Sequence, residues 1–181
     1  YAFVVNAFVS LLKRADMTRY ELFLRETRTY EIIEDVKNFR SEIGVLFLNG
    51  YNRDVLTKMF DDNRLTYTSL FKARPHIFVS KSNPLAKHKV VSLEDLEDFP
   101  YLSYDQGIHN SFYYSEEILS QIPHKKSIVV SDRATLFNLL IGLDGYTIAT
   151  GILNSNLNGD NIVSIPLDID DEIDIVYLKH E

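Results

Sequence analysis

The sequence predicts an α/β protein built from two Rossmann-like lobes with a cleft between them, and three observations carry that expectation. Short apolar or alternating runs interleave with helical stripes from residue 20 to residue 71. The same alternation restarts after Phe71 and runs to the end of the chain. The length of 181 residues, with 45% hydrophobic and 25% charged residues, suits one ordinary domain or two half-size lobes and excludes disorder. Cysteine is absent, which excludes disulfides, zinc–thiolate sites and cysteine nucleophiles. The formal net charge of −7 argues against a fragment that grips phosphate backbones. No apolar run approaches the roughly 18 residues of a membrane span, and no signal peptide is legible. A soluble, cytoplasmic, acidic protein is expected.

The chain opens without methionine, on a helix already under way, and both ends read as cut from something longer. In residues 1–14 one stripe holds Phe3, Val4, Ala7, Phe8, Leu11 and Leu12; a second holds Tyr1, Ala2, Val5 and Val9. A helix apolar most of the way round is buried on more than one side. Either it is sandwiched inside one domain, or one face meets a partner chain. Residues 20–26 (YELFLRE) alternate and are rich in aromatics, as a strand is. Thr27, Arg28 and Thr29 form a turn that can cap the next helix, whose stripe is Ile32, Ile33, Val36 and Phe39. The unbroken apolar run at 43–48 fits a central parallel strand covered on both faces. A helix with Val55, Leu56, Met59 and Phe60 follows, then a strand at 65–71. Strand–helix–strand–helix–strand predicts a doubly wound parallel sheet.

Beyond Phe71, residues 76–80 read as a strand and 83–86 as a turn. Ser92 to Asp95 resembles a capping box, with Asp in place of Glu, opening a short helix through Leu96. A strand at 100–104 leads into a polar loop, 106–111, and then a helix through Ile118 and Leu119. After a strand at 127–130, Asp132 caps a helix carrying Leu136, Phe137, Leu139, Leu140 and Leu143, which Gly145 stops as a left-handed residue. Strands at 146–149, 162–167 and 172–179 complete the set. Lobe I is expected to hold residues 1–71 plus 172–181, and lobe II residues 72–171. In open α/β sheets the ligand sits at the carboxyl ends of the strands, so two facing sheets make a binding cleft.

Nucleotide, phosphate-loop, zincin and nucleophile-elbow motifs are missing. The five histidines show no ligand spacing and read mostly as surface residues. The acidic run Asp168, Asp170, Asp171, Glu172 and Asp174 lacks the glycine and distal glutamate of a calcium loop and reads as a solvated turn. No metal and no cofactor is expected. The turns after strands carry more information. Thr27 and Thr29, and Gln106 to Ser111, lie before helices, whose free N–H groups bind anions. Plain capping by Thr29, Ser111 and Asp132 is the competing explanation.

Four stretches together give a family resemblance: Glu42-Ile-Gly-Val-Leu-Phe47, Phe78-Val-Ser-Lys-Ser-Asn-Pro-Leu-Ala86, Val91-Ser-Leu-Glu-Asp-Leu-Glu-Asp-Phe-Pro100, and the helix-to-strand run from Ser131 to Ala149. In order and spacing they resemble the effector-binding domain of bacterial LysR-type transcriptional regulators. Asn83 stands where the family commonly has His, and Gly142 and Gly145 lie further apart than the family's glycines. The resemblance implies a type II periplasmic-binding-protein-like fold that senses a small-molecule effector and is not an enzyme. It implies effector contacts at Tyr1, Thr27, Thr29, Gln106, Asn110, Ser111 and Asp132. It also implies pairing of the domain into a homodimer, through the first helix with Val5 and Val9 and the second strand, against a lobe II helix of the partner; a tetramer is open for the full-length protein. The family's winged helix-turn-helix, linker helix, first lobe I strand and terminal helix are not in the given sequence. DNA would be bound only through that missing helix-turn-helix.

The leading expectation is a ligand-sensing regulatory domain. A transporter's solute-binding protein is the alternative, and an enzyme using the cleft is a third class for which no nucleophile–base pair is legible. The effector is expected to be a zwitterion, an amino acid or sulfur-containing relative, with its carboxylate at Thr27 and Thr29 and its ammonium at Asp132. If Asp132 only caps its helix, a simple anion fits better. By itself the chain is expected to show no measurable affinity for duplex DNA at physiological salt; a salt-sensitive, sequence-dependent gel shift would overturn this.

Overall fold

The computed structural model describes residues 2–15, 18–153 and 160–181. Its helices are α1 (Ala2–Arg14), α2 (Thr29–Lys37), α3 (Arg53–Asp62) and α4 (Arg133–Gly142). Its strands are β1 (Gly44–Leu48), β2 (Leu65–Ala73), β3 (His76–Ser80), β4 (Tyr101–Tyr104), β5 (Ser127–Val130), β6 (Tyr146–Ala149), β7 (Ile162–Pro166) and β8 (Ile173–His180). They form a three-stranded sheet, β1-β8-β2, and a five-stranded sheet, β5-β4-β6-β3-β7.

The first sheet departs from the expected parallel one. β1 and β2 each pair antiparallel with β8, which lies between them. They are therefore parallel to each other across the α3 crossover, with the chain's last strand inserted in the gap. β1 is an edge strand among the described residues, yet its apolar run is explained, because both of its faces are covered. Leu46 and Leu48 pack with Ile33, Val36, Leu56, Phe60, Val176 and Leu178 under α2 and α3. Phe47 points the other way, into a core shared with Ile77 and Val79 of β3, Ile148 of β6 and Ile173 and Ile175 of β8. This is the period-2 alternation of a strand, used on both faces. A third cluster packs α4, through Leu136 and Leu140, onto Phe78, Leu102 and Val130 of the second sheet. That sheet is mixed: β4 runs parallel to β5 and β6, whereas β3 is antiparallel to β6 and β7.

Residues 20–26 do not form the expected strand. They carry no regular secondary structure and join neither sheet. A strand exists only with a ladder partner, and no described residue supplies one; Phe23 is 81% exposed. The segment is tied down by charge instead, Arg25 to the buried Asp35 at 2.6 Å and Glu26 to Arg133 at 2.9 Å. Nor is α1 buried on more than one side within the chain. None of residues 3–14 is fully buried, and Phe3 meets Phe71 edge-on at 5.1 Å.

Three helix expectations are corrected. Phe39 lies beyond α2 with φ +57°, its ring exposed against His180. Residues 115–119 form no helix, only a 3-10 turn at Phe112–Tyr114 precedes them, and Leu119 takes φ +61°, which a helix excludes. The left-handed residue after α4 is Asp144, not Gly145. Gly145 is needed for another reason: a Cβ there would sit 3.1 Å from both Leu102 Cδ1 and the Pro100 carbonyl. The capping box holds, with Ser92 N–H donating to Asp95 Oδ2 at 2.9 Å and Asp95 N–H to Ser92 Oγ at 3.3 Å. Asn83, buried where the family commonly has His, caps Pro84–Lys87 by accepting from Leu85 N–H and donates to the Asp144 carbonyl.

Ile175 is fully buried in β8. Ile175→Ala is expected to lower stability by about 2–5 kcal/mol in urea unfolding, by lost transfer energy plus the cavity left behind.

Candidate functional site

The two sheets share no ladder. Arg28 is the N-cap residue of α2, but its side chain makes no cap bond. Its guanidinium crosses instead to the loop after β4. Nε donates to the Asp105 carbonyl at 3.0 Å, Nη2 to Asp105 Oδ2 at 2.8 Å, and Nη1 back to Glu31 Oε1 at 3.2 Å. Gly107 has φ +63°, and a Cβ there would lie 2.8 Å from Arg28 Nη1, so glycine both makes the turn and admits the guanidinium. One step along α2, Tyr30 stacks on His109 with centroids 3.4 Å apart and meets Tyr114 edge-on. Tyr51 stacks on Tyr113 at 4.9 Å. The loop after β4 thus lies against the start of α2 and the end of β1.

Beside this contact is a shallow recess with a cavity volume of about 10 Å³, room for about one water, lined by Phe47, Asn49, Tyr51, Phe112, Glu117 and Gln121 among others. It opens where β1 ends, the position at which α/β sheets take ligands. Asn49 and Asn52 there are spent on structure. The Asn52 Oδ1 accepts from Asn49 N–H, and the Asn49 Oδ1 accepts from the N–H groups of Tyr51 and Asn52. Glu117 differs. It is 4% exposed, and its Oε1 accepts one hydrogen bond, from Tyr104 N–H at 2.9 Å. Burial, and then the neighbouring Glu116, pushes its carboxyl up to about 8. Burial also raises Glu116, against the opposing hydrogen bond from Gln106 Nε2 at 3.4 Å. Gln106 is itself buried, and its Oε1 has no partner; the same holds for the hydroxyl of buried Tyr101.

The segments singled out in the sequence come together here. Thr27 and Thr29 flank Arg28, Gln106 follows Asp105, and Asp132 precedes Arg133, which pairs with Glu26. Their chemistry is varied. The Thr27 hydroxyl donates to Glu31, and that bond, ahead of Arg28, holds the Glu31 carboxyl below the usual range. Thr29 is buried as the first residue of α2 and does not cap it. Ser111 caps Phe112–Tyr114, and Asn110 beside it is exposed. Asp132 is exposed, and both its oxygens are taken by Thr135, Oδ1 by the N–H at 2.8 Å and Oδ2 by the hydroxyl at 2.7 Å. Tyr1 lies outside the described residues. Val5 and Val9 are half-buried on α1.

Sequence reasoning placed Arg28 in an informative turn but gave it no role, and it missed Asp105 and Glu117. A Glu-Glu pair directly before Ile118 and Leu119 was the available signal, hidden because the stretch reads as an amphipathic helix. It also misjudged Asp174, a β8 residue that is buried between Ser69 and Arg53 rather than solvated. His109 and His124 are likewise engaged, His124 stacking on Tyr101 at 3.7 Å. No group of three metal-binding side chains gathers among the described residues, and no helix there is long and apolar enough to cross a membrane.

The raised carboxyl at Glu117 fixes the sign of a pH effect. The unfolded chain ionises near 4.5, the folded one near 8, so stability present below 4.5 is lost as pH rises through 8. Melting temperature is expected to fall between about pH 5 and pH 9, and Glu117→Gln to flatten that fall.

Residues 12–180 match the LysR substrate binding domain. Among curated protein sequences none matches the chain. Solved structures resemble it, among them the following three. The effector binding domain of QuiR in complex with shikimate is 17% identical, with a TM-score of 0.63 over 98% of this chain and 80% of that one. The BenM effector binding domain with its effector benzoate is 20% identical, with a TM-score of 0.62 over 97% and 76%. Full-length CbnR complexed with its target DNA is 14% identical, with a TM-score of 0.64 over 99% of this chain and 59% of that one. At such identities the likeness establishes the fold, the type II periplasmic-binding-protein-like arrangement of two sheets. The family match, unlike these, rests on sequence and leaves only residues 1–11 and 181 outside it, so the chain belongs to the LysR substrate binding domain family, whose members are ligand-sensing regulatory domains and not enzymes.

Proposed function

We propose that this regulatory domain takes its small-molecule effector at the contact between residues 1–71 plus 172–181 and residues 72–171. One observation carries the reading. The halves meet there through Arg28 and Asp105, at 38% and 45% side-chain exposure, and through stacked rings, with no backbone ladder between the sheets. An exposed pair of that kind is worth about 1 kcal/mol or less, which a ligand can replace. QuiR and BenM, which hold shikimate and benzoate, support a carboxylate-bearing ligand by analogy. The start of α2 offers free N–H groups and the hydroxyl of Thr29 to a carboxylate, and the Thr27 hydroxyl joins them when a ligand carboxylate takes the place of Glu31 as its acceptor. Gln106, Asn110 and Ser111, on the facing loop, can donate or accept. An amino acid or a sulfur-containing relative remains the effector class we favour. Asp132 is assigned to capping, since both its oxygens are committed to Thr135.

The domain acts, in this reading, as a homodimer within a cytoplasmic LysR-type regulator that touches DNA through its own helix-turn-helix. Support comes from the exposed apolar side chains of α1 and of residues 20–24, where Leu11 is 55% and Phe23 81% exposed. Faces of that kind are usually covered.

Two outcomes are expected. A thermal-shift screen of carboxylic acids and amino acids finds saturable stabilisation, and Thr27→Val weakens the best ligand at least about tenfold; no stabilisation by any of them overturns the site. The double change Val5→Asp and Val9→Asp yields monomers in sedimentation, whereas an unmodified chain that is already monomeric at high concentration overturns the dimer.

A further inference from the structure

Glu117 is a buried acid without a counter-charge. The groups facing it are its own N–H and that of Tyr104, the carboxyl of Glu116, the Tyr104 phenol and the ring of Tyr101, on which His124 stacks; none is a cation, and the charge of Arg133 acts on Glu116 instead. A carboxylate taken out of water without a partner costs several kcal/mol, so it either holds its proton or is met by a positive group. Structural carboxylates in this chain are met by one. Asp35 has Arg25 and Arg40, and Asp174 has Arg53. Glu117 alone of these buried acids lines the recess.

A second feature points the same way. The Oε1 of Gln106, on a side chain 5% exposed, is buried with no donor, while its Nε2 lies 3.4 Å from Glu116. Beside the Glu116 carboxyl is therefore an acceptor that the fold leaves unused. A buried acceptor without a donor is costly to keep, and such groups are expected to be satisfied when a ligand is bound. The surplus in this corner is of acceptors, which calls for a ligand rich in donors. A metal ion is a poorer fit, since Glu117 Oε1 already holds an N–H and no three ligating side chains converge among the described residues.

We propose that Glu117, with Glu116 and the Gln106 amide oxygen, forms the subsite that receives a primary ammonium group of the effector. The proposal rests on the reading of this contact as the effector site and names the class of ligand it takes. It replaces Asp132 as the ammonium partner. It also implies an exchange of charge: the ligand arrives as an ammonium ion, Glu117 gives up its proton to the solvent, and the bound pair is ammonium and carboxylate. Occupancy then depends on pH in a set direction. Below the raised value of about 8, affinity for the ammonium ligand climbs up to tenfold per pH unit, and the climb ends once the acid is ionised.

Three probes of one length separate the contributions: n-butylammonium, butyrate and γ-aminobutyrate, titrated into the chain by calorimetry near pH 7 in buffers of different ionisation enthalpy. The two ammonium probes are expected to bind saturably with release of up to one proton, and butyrate to bind without it. In Glu117→Gln, whose amide oxygen can still accept from Tyr104 N–H, proton release vanishes and n-butylammonium weakens at least about tenfold, while butyrate is unchanged. The proton count is read on the unaltered chain, so it stands even if the variant folds poorly. Equal binding of butyrate and γ-aminobutyrate without proton release overturns the subsite and leaves the effector site intact. No saturation by either ammonium probe overturns it too, and the effector site is then judged by its own screen of carboxylic acids and amino acids. A response to potassium chloride equal to that of n-butylammonium also counts against it.

Discussion

Burial of β8 holds the molecule together. Ile173, Ile175, Val176 and Leu178 are all fully buried, and they alternate between the core shared by the two sheets and the core under α2 and α3. Each is worth roughly 1.5–3 kcal/mol of apolar burial. The ion pair between Arg28 and Asp105, half-exposed at both ends, contributes about 1 kcal/mol at most. Two kinds of contact therefore join the halves, and they differ several-fold in strength. The strong one, through Phe47, Ile173 and Ile175, fixes the sheets on one side. The weak one, through Arg28, Tyr30 and Tyr51, lies at the proposed effector site, and separating the halves there leaves the core intact.

Strands whose alternation is answered inside the chain were legible in the sequence. β3 and β6 fall on the residues expected, because their apolar positions meet partners in the same sheet. What failed was information held by a partner elsewhere. Residues 20–26 have the composition of a strand and no ladder, and β1 has the apolar run of a central strand while pairing on one side only. The insertion of β8 between β1 and β2 is a fact about residues over a hundred positions apart. Periodicity carries no such information. The capping residues fared better, since a cap is a local bond: Ser92 with Asp95, and Asp132 with Thr135, bond as their spacing predicts.

For the site, the convergence of the turns was legible and their chemistry was not. Hydroxyls and amides at strand ends mark out the region, but which of them are free depends on neighbours. Thr27 is tied to Glu31, and Asp132 to Thr135. Glu117 was concealed by its sequence setting, because a glutamate in a presumed amphipathic helix is placed on the wet face. The chain bends inward there, with Glu117 and Ile118 both buried in succession, and gives up helical geometry to do so. A buried acid of this kind lowers stability at neutral pH, a cost that proteins carry where a function needs it.

The position of β8 bears on how the molecule is made. Synthesis proceeds from the amino end, so every strand of the five-stranded sheet leaves the ribosome before β8 does. That sheet and α4 can pack as soon as β7 emerges, since its strands pair among themselves. β1 and β2 cannot: each has β8 as its ladder partner, and until it arrives their facing edges are unsatisfied and open to wrong pairing. The half of the chain translated first is thus the half that folds last, and nascent-chain stalling before residue 173 would leave it exposed to chaperones and proteases.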